Sequence, residues 1–279
     1  MIKLTVLIDN SPNTKDNKLE TEHGLSLFIE FESHKILCDM GASDRYFENA
    51  KRLGIDLDKV SFATISHGHA DHTGGLGYFL RNNHHSIVYL SDKIFGRKFY
   101  SLRHDNKREI STDKDLEHPY SKRFAYITDS RWVDKNIAIV YNNSEKYASP
   151  KANCFLTVSD AHGERADDFS HEAALVLKTD RGLVVISSCS HGGAVNIIDS
   201  CCRFTGVENV CAFVGGLHFV DHSQTKEEVD VFLRTMAELA PNTLLYTGHC
   251  TGEVAKKCLS TQKILPKVNF FYTGAIIEL

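Results

Sequence analysis

Residues 66 to 75 read SHGHADHTGG, which sets three histidines and an aspartate, His67, His69, Asp71 and His72, inside six positions directly before two glycines. Imidazole and carboxylate are the donors that hold zinc, iron and other divalent transition metals, and a hydrolytic metal site keeps one position open for water. Four such donors in so short a span exceed what one ion uses. They suit two adjacent ions, His67 and His69 on the first, Asp71 and His72 on the second, each needing one more imidazole from elsewhere. The plain alternative is a run of surface polar residues, since histidine is intermediate in burial. The apolar run Val60, Phe62, Ala63 and Ile65 just before the cluster favours the site: a strand there delivers the donors to a loop.

Further donors recur at the ends of apolar runs: His171 with Glu172, Cys189 with His191, His218, and His249 with Cys250. Taken singly, a histidine at a strand end is more often a hydrogen-bonding residue, and a free cysteine a small buried hydrophobe. Their joint appearance after apolar runs points to convergence at one edge of a rigid core. Two dications close together repel, and an anionic bridge offsets that repulsion; Cys189 is a candidate for it. Gly192, Gly193, Gly215 and Gly216 offer backbone amides to a phosphate, a weak signal because paired glycines are common at turns. Neither a G-x-G-x-x-G opening a strand-helix unit near the start, nor a Walker loop, nor a G-x-S-x-G elbow is present.

The elements that must carry these donors follow from the pattern. IKLTVLI, LSLFIEF and KILCDMG read as strands, with a hairpin turn near Ser33 to Lys35, and KVSFATI as the strand feeding the histidine cluster. Ala42 to Leu53 has helical spacing with Tyr46, Phe47, Ala50 and Leu53 on one face and Ser43 as the cap. Leu76, Phe79 and Leu80 mark a short helix. NIAIVY, NCFLTV, EAALVLKT and GLVVISS are strands, the last two a hairpin closed by Asp180 to Gly182; Asp160 to Ser170 is a polar connection. VCAFVGG, TLLYTG and VNFFYTG follow, separated by helices over 225 to 239 and Glu253 to Leu259, after one at Val195 to Cys202. An apolar tail ends the chain. Residues 91 to 134 lose periodicity and read as an insertion or lid over the site, or equally as a solvated excursion. The expectation is a layered α/β protein of mostly hairpin-linked strands, one domain over residues 1 to 279.

Composition bounds the partners. The net charge is −4, from 36 acidic and 32 basic residues, which argues against a nucleic-acid partner and for a small molecule. Eight cysteines in 279 residues are too few for a disulfide scaffold, and with no charged-then-apolar leader they point to a reducing cytoplasm. No apolar run approaches the roughly 20 residues that span a membrane.

SHGHADHTGG resembles the signature of the metallo-beta-lactamase superfamily at His67, His69, Asp71 and His72. That resemblance implies a four-layer αββα sandwich with the metal site at one edge of two packed sheets. By position, His171 resembles the third histidine of the first metal site, Cys189 the bridging ligand that is usually aspartate, and His249 the last histidine of the second. Within the superfamily, Asp9-Asn10, EHGLS at 22 to 26, His171-Glu172, CSHGG at 189 to 193, GGLH at 215 to 218 and TGHCTG at 247 to 252 resemble one branch. It is that of 7,8-dihydropterin-6-methyl-4-(ribofuranosyl)aminobenzene 5'-phosphate synthase. The implied activity is a hydrolase-type reaction by a metal-bound hydroxide on a small phosphorylated or pterin-like molecule. Two divalent ions are implied, zinc first, with iron or manganese as alternatives. Asp71, His191 and His218 are the candidate acid, base or catalytic groups, and Glu172, His191 and His218 the candidate substrate contacts. A metal-stabilised sensor of a pterin or nucleotide without turnover, and a metal-dependent nuclease, are the competing readings.

Overall fold

Apolar strands separated by short amphipathic helices build two compact units, each around one mixed sheet. In the computed structural model every residue is described except His104, Asp105 and Ser223. The first unit comprises Met1–Thr128, Leu156–His171 and Phe271–Leu279, the second Asp129–Phe155 and Glu172–Phe270.

The first unit holds a seven-stranded sheet in the order β18 (Ile276–Glu278), β1 (Ile2–Ile8), β2 (Ser26–Phe31), β3 (His34–Cys38), β4 (Phe62–Thr64), β5 (Ile87–Ser91) and β8 (Phe124–Ile127). Strands β18 to β3 pair antiparallel and β3 to β8 parallel. The β2–β3 turn sits at Glu32 and Ser33, because Phe31 already pairs with His34. It therefore falls earlier than the sequence suggested, and Glu32 takes the left-handed conformation there, φ 52°. Helices α1 (Arg45–Arg52), α2 (Ala70–Thr73) and α3 (Leu76–Asn82) follow β3 and β4. Tyr46, Ala50, Leu76, Phe79 and Leu80 of α1 and α3 join Leu37, Ala63 and Val88 of the sheet in one apolar core. Each large side chain buried in this way stabilises the unit by roughly 1.5–3 kcal/mol. The cap of α1 is Asp44 instead of Ser43. Asp44 makes no side-chain cap bond; the Ser43 hydroxyl accepts the Arg45 backbone N–H at 3.3 Å and donates at 2.6 Å to the Glu22 carboxylate, which also accepts the Ser43 backbone N–H at 3.1 Å.

A smaller four-stranded sheet in the same unit runs β12 (Gly163–Ala166), β11 (Leu156–Asp160), β6 (Lys98–Ser101) and β7 (Arg108–Glu109). The aperiodic stretch 91 to 134 supplies two of these strands, together with β8 and β9 (Arg131–Asp134). His104 and Asp105 of that stretch lie outside the described residues. The connection from Asp160 to Ser170 contains β12, and the apolar tail forms β18.

The second unit has its own seven-stranded sheet, ordered β17 (Lys267–Phe270), β16 (Leu244–Thr247), β15 (Val210–Gly215), β14 (Gly182–Ser187), β13 (Ala173–Thr179), β10 (Ile137–Tyr141) and β9. From β14 to β17 the pairing is parallel, and from β9 to β14 antiparallel. Helices α4 (Ala194–Thr205), α5 (Thr225–Leu239) and α6 (Glu253–Thr261) make the crossovers that parallel neighbours require. Val229, Phe232, Leu233 and Met236 of α5 are buried in the core, as their spacing predicts. The expectation of mostly hairpin-linked strands is thus corrected: half of each large sheet is built of parallel strands joined through helices.

Candidate metal centre

In the first unit the histidine loop follows β4 and is held by a residue from the end of β3. Asp39, fully buried at φ 58°, accepts the Ser66 backbone N–H at 2.7 Å and the Ser66 hydroxyl at 2.6 Å. Its Oδ2 also lies 2.8 Å from Nδ1 of His72. A carboxylate only accepts, so His72 carries its proton on Nδ1 and presents the Nε2 lone pair. The same logic fixes His67. Ser66 has one hydroxyl proton, committed to Asp39, so the 2.8 Å contact between its Oγ and His67 Nδ1 is donated by the ring. Both imidazoles thereby turn Nε2, the usual metal donor, to the same task.

His67, His69, His72 and His171 are all buried. Ring centroids stand 4.6 Å apart for His67 and His69, 4.3 Å for His67 and His72, and 5.5 Å for His69 and His171. Burial, reinforced by these neighbouring imidazoles, pushes the pKa of His67 well below that of an ordinary histidine. The ring is therefore neutral, the form that binds metal. Nδ1 of His171 accepts the Gly68 backbone N–H at 3.0 Å, which ties His171 to the loop after β4. Nε2 of His171 and Nε2 of His69 converge on Asp167 Oδ2, at 3.2 and 3.6 Å. Burial pushes the Asp167 carboxyl up, but bonds from His171 and His69 outweigh it and hold the group far below the usual carboxylate range. Asp71 is half-buried, its Oδ2 3.3 Å from His23 Nε2 and 3.6 Å from His72 Nε2. The buried, close-packed imidazoles of His67, His69 and His72 are the donor type that divalent transition ions take, so these residues fit such an ion.

Part of the aperiodic stretch covers this loop. Ser111 forms a β-bridge with His69, and the Thr112 hydroxyl donates to the Gly68 carbonyl at 3.1 Å. The Phe99 ring stands 4.3 Å from that of His171, and a Cβ on Gly68 would sit 2.6 Å from it, so position 68 has room only for glycine.

In the second unit three strand ends meet through glycine. A Cβ at Gly216 would lie 2.3 Å from the His249 carbonyl and 2.6 Å from that of Ser188, and the Gly216 N–H donates to Ser188 at 2.8 Å. The pair at 215 and 216 therefore serves close backbone approach, and its amide at 216 is already spoken for. Gly192 and Gly193 likewise donate to Glu172 Oε2 and the Ser190 carbonyl, at 2.8 and 2.9 Å. These amides hold the loops together, which corrects the reading of them as phosphate donors. Both Glu172 oxygens are taken by backbone N–H groups, of His191 and Gly192, each at 2.8 Å.

The loops so joined gather Cys189, His191, His218, His249 and Cys250. The His191 and His218 rings stand 4.2 Å apart. Sγ of Cys189 lies 3.5 Å from Sγ of Cys250, which is 3.0 Å from His249 Nε2. The bond with Cys189 and the nearby His249 and His218 hold the Cys250 thiol well below its ordinary pKa, against the opposing effect of burial. Ser190, His218 and Cys250 all take the left-handed conformation, φ 63°, 51° and 54°.

The structure thus brings His67, His69, Asp71, His72 and His171 together in the first unit, and Glu172, Cys189, His191, His218 and His249 in the second. Asp39 and Asp167 went unassigned in the sequence, as did Cys250 beyond its adjacency to His249. Asp167 had one signal, its i,i+4 spacing to His171. Asp39 had none, because it reaches Ser66 and His72 across 27 and 33 residues.

Comparison with known proteins agrees with this geometry. Residues 20–127 match the model of the metallo-beta-lactamase superfamily. The chain is 28% identical, with a TM-score of 0.83, to Tm1679, a metal-dependent hydrolase of the beta-lactamase superfamily, over 100% of this chain and 99% of that one. It is 27% identical to the 7,8-dihydropterin-6-methyl-4-(beta-D-ribofuranosyl)-aminobenzene-5'-phosphate synthase of Methanocaldococcus jannaschii, over 83% of this chain and 82% of that protein. Zn(2+)-bound PqqB from Methylobacterium extorquens shares the fold, with a TM-score of 0.59 at 9% identity over 99% and 100% of the two chains. The chain has the α/β fold of the metallo-beta-lactamase superfamily. It carries clustered histidine, cysteine and aspartate donors with the capacity to hold metal. Among the described residues no helix is long and apolar enough to cross a membrane.

Proposed function

We propose that this chain is a metal-dependent hydrolase acting on a small phosphorylated or pterin-like molecule. The observation that carries the reading is the set of buried, close-packed imidazoles at residues 67 to 72, with His67 neutral and both His67 and His72 presenting Nε2. The likeness to Tm1679 supports hydrolysis, and the likeness to the pterin-phosphate synthase supports the substrate class. The ligand assignment rests on the motif resemblance: His67, His69 and His171 for one divalent ion, Asp71, His72 and His249 for a second, and Cys189 shared. His171 bonds Gly68 through Nδ1 and Asp167 through Nε2, so its binding to an ion requires that one of these bonds be released. Zinc suits the mixed nitrogen, oxygen and sulfur donors best, with iron or manganese as alternatives. Bound ions of this kind supply Lewis acidity and acidify a water near neutral pH.

The chain's own residues do the rest. Asp39 and Ser66 orient His67 and His72, as carboxylate and hydroxyl partners do for metal-binding imidazoles. Glu172 pins the backbone at 191 and 192, so that the His191 ring is set for proton transfer to or from substrate, with His218 stacked beside it. His191→Ala should lower turnover while metal content stays at the wild-type value. Loss of a full metal equivalent in that variant would overturn the role given to His191. The reading as a whole is tested by a panel of phosphomonoesters, phosphodiesters and lactones, with cyclic pterin phosphates included, assayed before and after chelation.

A further inference from the structure

Two thiols and an imidazole in the second unit form a donor set that the superfamily signature does not contain. We propose that Cys189, Cys250 and His218 together bind one soft divalent ion, zinc above others, as a dithiolate-imidazole site. The inference rests on the reading of the chain as a metal-dependent hydrolase and revises it at one ion, whose protein ligands become Cys189, Cys250 and His218.

Geometry carries it. The three ligand atoms lie within 4.8 Å of one another, with Cys189 and His218 buried and Cys250 partly so. The sulfurs are 3.5 Å apart and no disulfide joins them. A disulfide would need about 2.05 Å. Two thiolates sharing a tetrahedral zinc, each at about 2.3 Å, stand roughly 3.7 Å apart, close to the separation observed. Three protein donors leave the fourth position for water or substrate, as catalytic zinc sites do. A pair of thiolates also selects softer ions over magnesium or calcium, which take oxygen.

The supporting backbone agrees. Each donor comes from the end of a different parallel strand, β14, β15 and β16. The three loops are locked through Gly216 and through Ser190 Oγ, which donates to the Gly216 carbonyl at 2.7 Å. His218 and Cys250 are held left-handed although neither is glycine, a conformation that costs such residues about 1–3 kcal/mol each and clusters at ligand sites.

The test is cobalt titration of the full-length, metal-free protein, reading thiolate-to-cobalt charge-transfer absorption in the near ultraviolet. Alongside it, thiols protected by zinc from a thiol-reactive dye are counted. Wild-type protein should show two protected thiols and a charge-transfer band, Cys250→Ser about half that band, and exposed Cys154→Ser the full band. Cys250→Ser and His218→Asn should each weaken cobalt binding by roughly tenfold or more. One protected thiol or none in the wild type, or a full band in Cys250→Ser, overturns the inference. The wild-type thiol count decides even where a variant misfolds. A protein that binds cobalt without the band, yet hydrolyses substrate only with metal, overturns this site and leaves the hydrolase reading standing. Failure to bind any cobalt overturns both.

Discussion

Asp39 shows how a side chain that no motif announces can set the chemistry of those that one does. Its carboxylate is buried and takes two bonds from Ser66 and one from His72. Asp39→Ala leaves those donors without their partner in a dry interior, where bonds to a charged group contribute about 1.5–3 kcal/mol each. The metal-free variant should lose about 3 kcal/mol or more in urea denaturation, and the variant that folds should bind zinc about 10–100-fold more weakly. Unchanged stability together with unchanged affinity would dismiss the orienting role. Asp167→Asn keeps the volume and removes the charge on which His69 and His171 converge. Zinc affinity should fall about tenfold, measured by competition with a chelating dye; equal affinity would show that the carboxylate only braces the fold. The histidine cluster was legible in the sequence because its donors are contiguous. Asp39 was not, because its partners lie in other segments and spacing along the chain does not encode that contact; Asp167 was announced only by its i,i+4 spacing to His171.

At the level of elements, strand ends and the glycines between them decide where donors stand. Gly216→Ala would drive a Cβ to within 2.3 Å of the His249 carbonyl, and backbone on both sides cannot yield as a flexible side chain would. A loss of about 3 kcal/mol or more is expected, with a displaced His249 loop. Gly206, also left-handed at φ 68° but with nothing within 4 Å of its Cβ, is the control. Gly206→Ala should cost only the conformational term, about 1–2 kcal/mol. Equal losses in the two variants, read from chemical denaturation, would mean that close approach at 216 is not what requires glycine. The long apolar strands and the helices α3 to α6 were legible from periodicity. Of the four-stranded sheet only β11 was read, within NCFLTV; its other strands and β18 were missed because they run to four residues or fewer, most with exposed positions, and short runs carry no usable period. The helices between the strands of the parallel halves were read, but the parallel pairing itself was not: alternation reports a strand and says nothing of its neighbour's direction.

For the whole molecule, buried neutral histidines tie stability to pH. The pKa values of His67 and His171 are lowered, in both cases by burial first. Below about pH 6.5 the unfolded chain takes up protons at these residues that the fold does not. The metal-free protein should therefore keep its full stability above that pH and lose it as pH falls, by up to about 1.4 kcal/mol per pH unit for each histidine, until the folded-state pKa is reached. Urea titrations at several pH values check the slope, and a flat profile from about pH 7.5 to about pH 5.5 would contradict the burial of neutral rings. The fold was legible from one ten-residue motif, whereas the substrate was not, since one fold hosts many reactions.

The central claim is that the clustered donors hold metal and that hydrolysis depends on it. It is tested most directly by elemental analysis of the purified protein, coupled to its activity on the phosphoester panel before chelation, after chelation, and after return of zinc, iron or manganese. Bound transition metal, lost activity on its removal, recovery on its return, and the absence of both metal and activity in His69→Ala are the results expected. Hydrolysis that persists in chelated protein, or a His69→Ala variant with wild-type metal content and activity, would contradict the account.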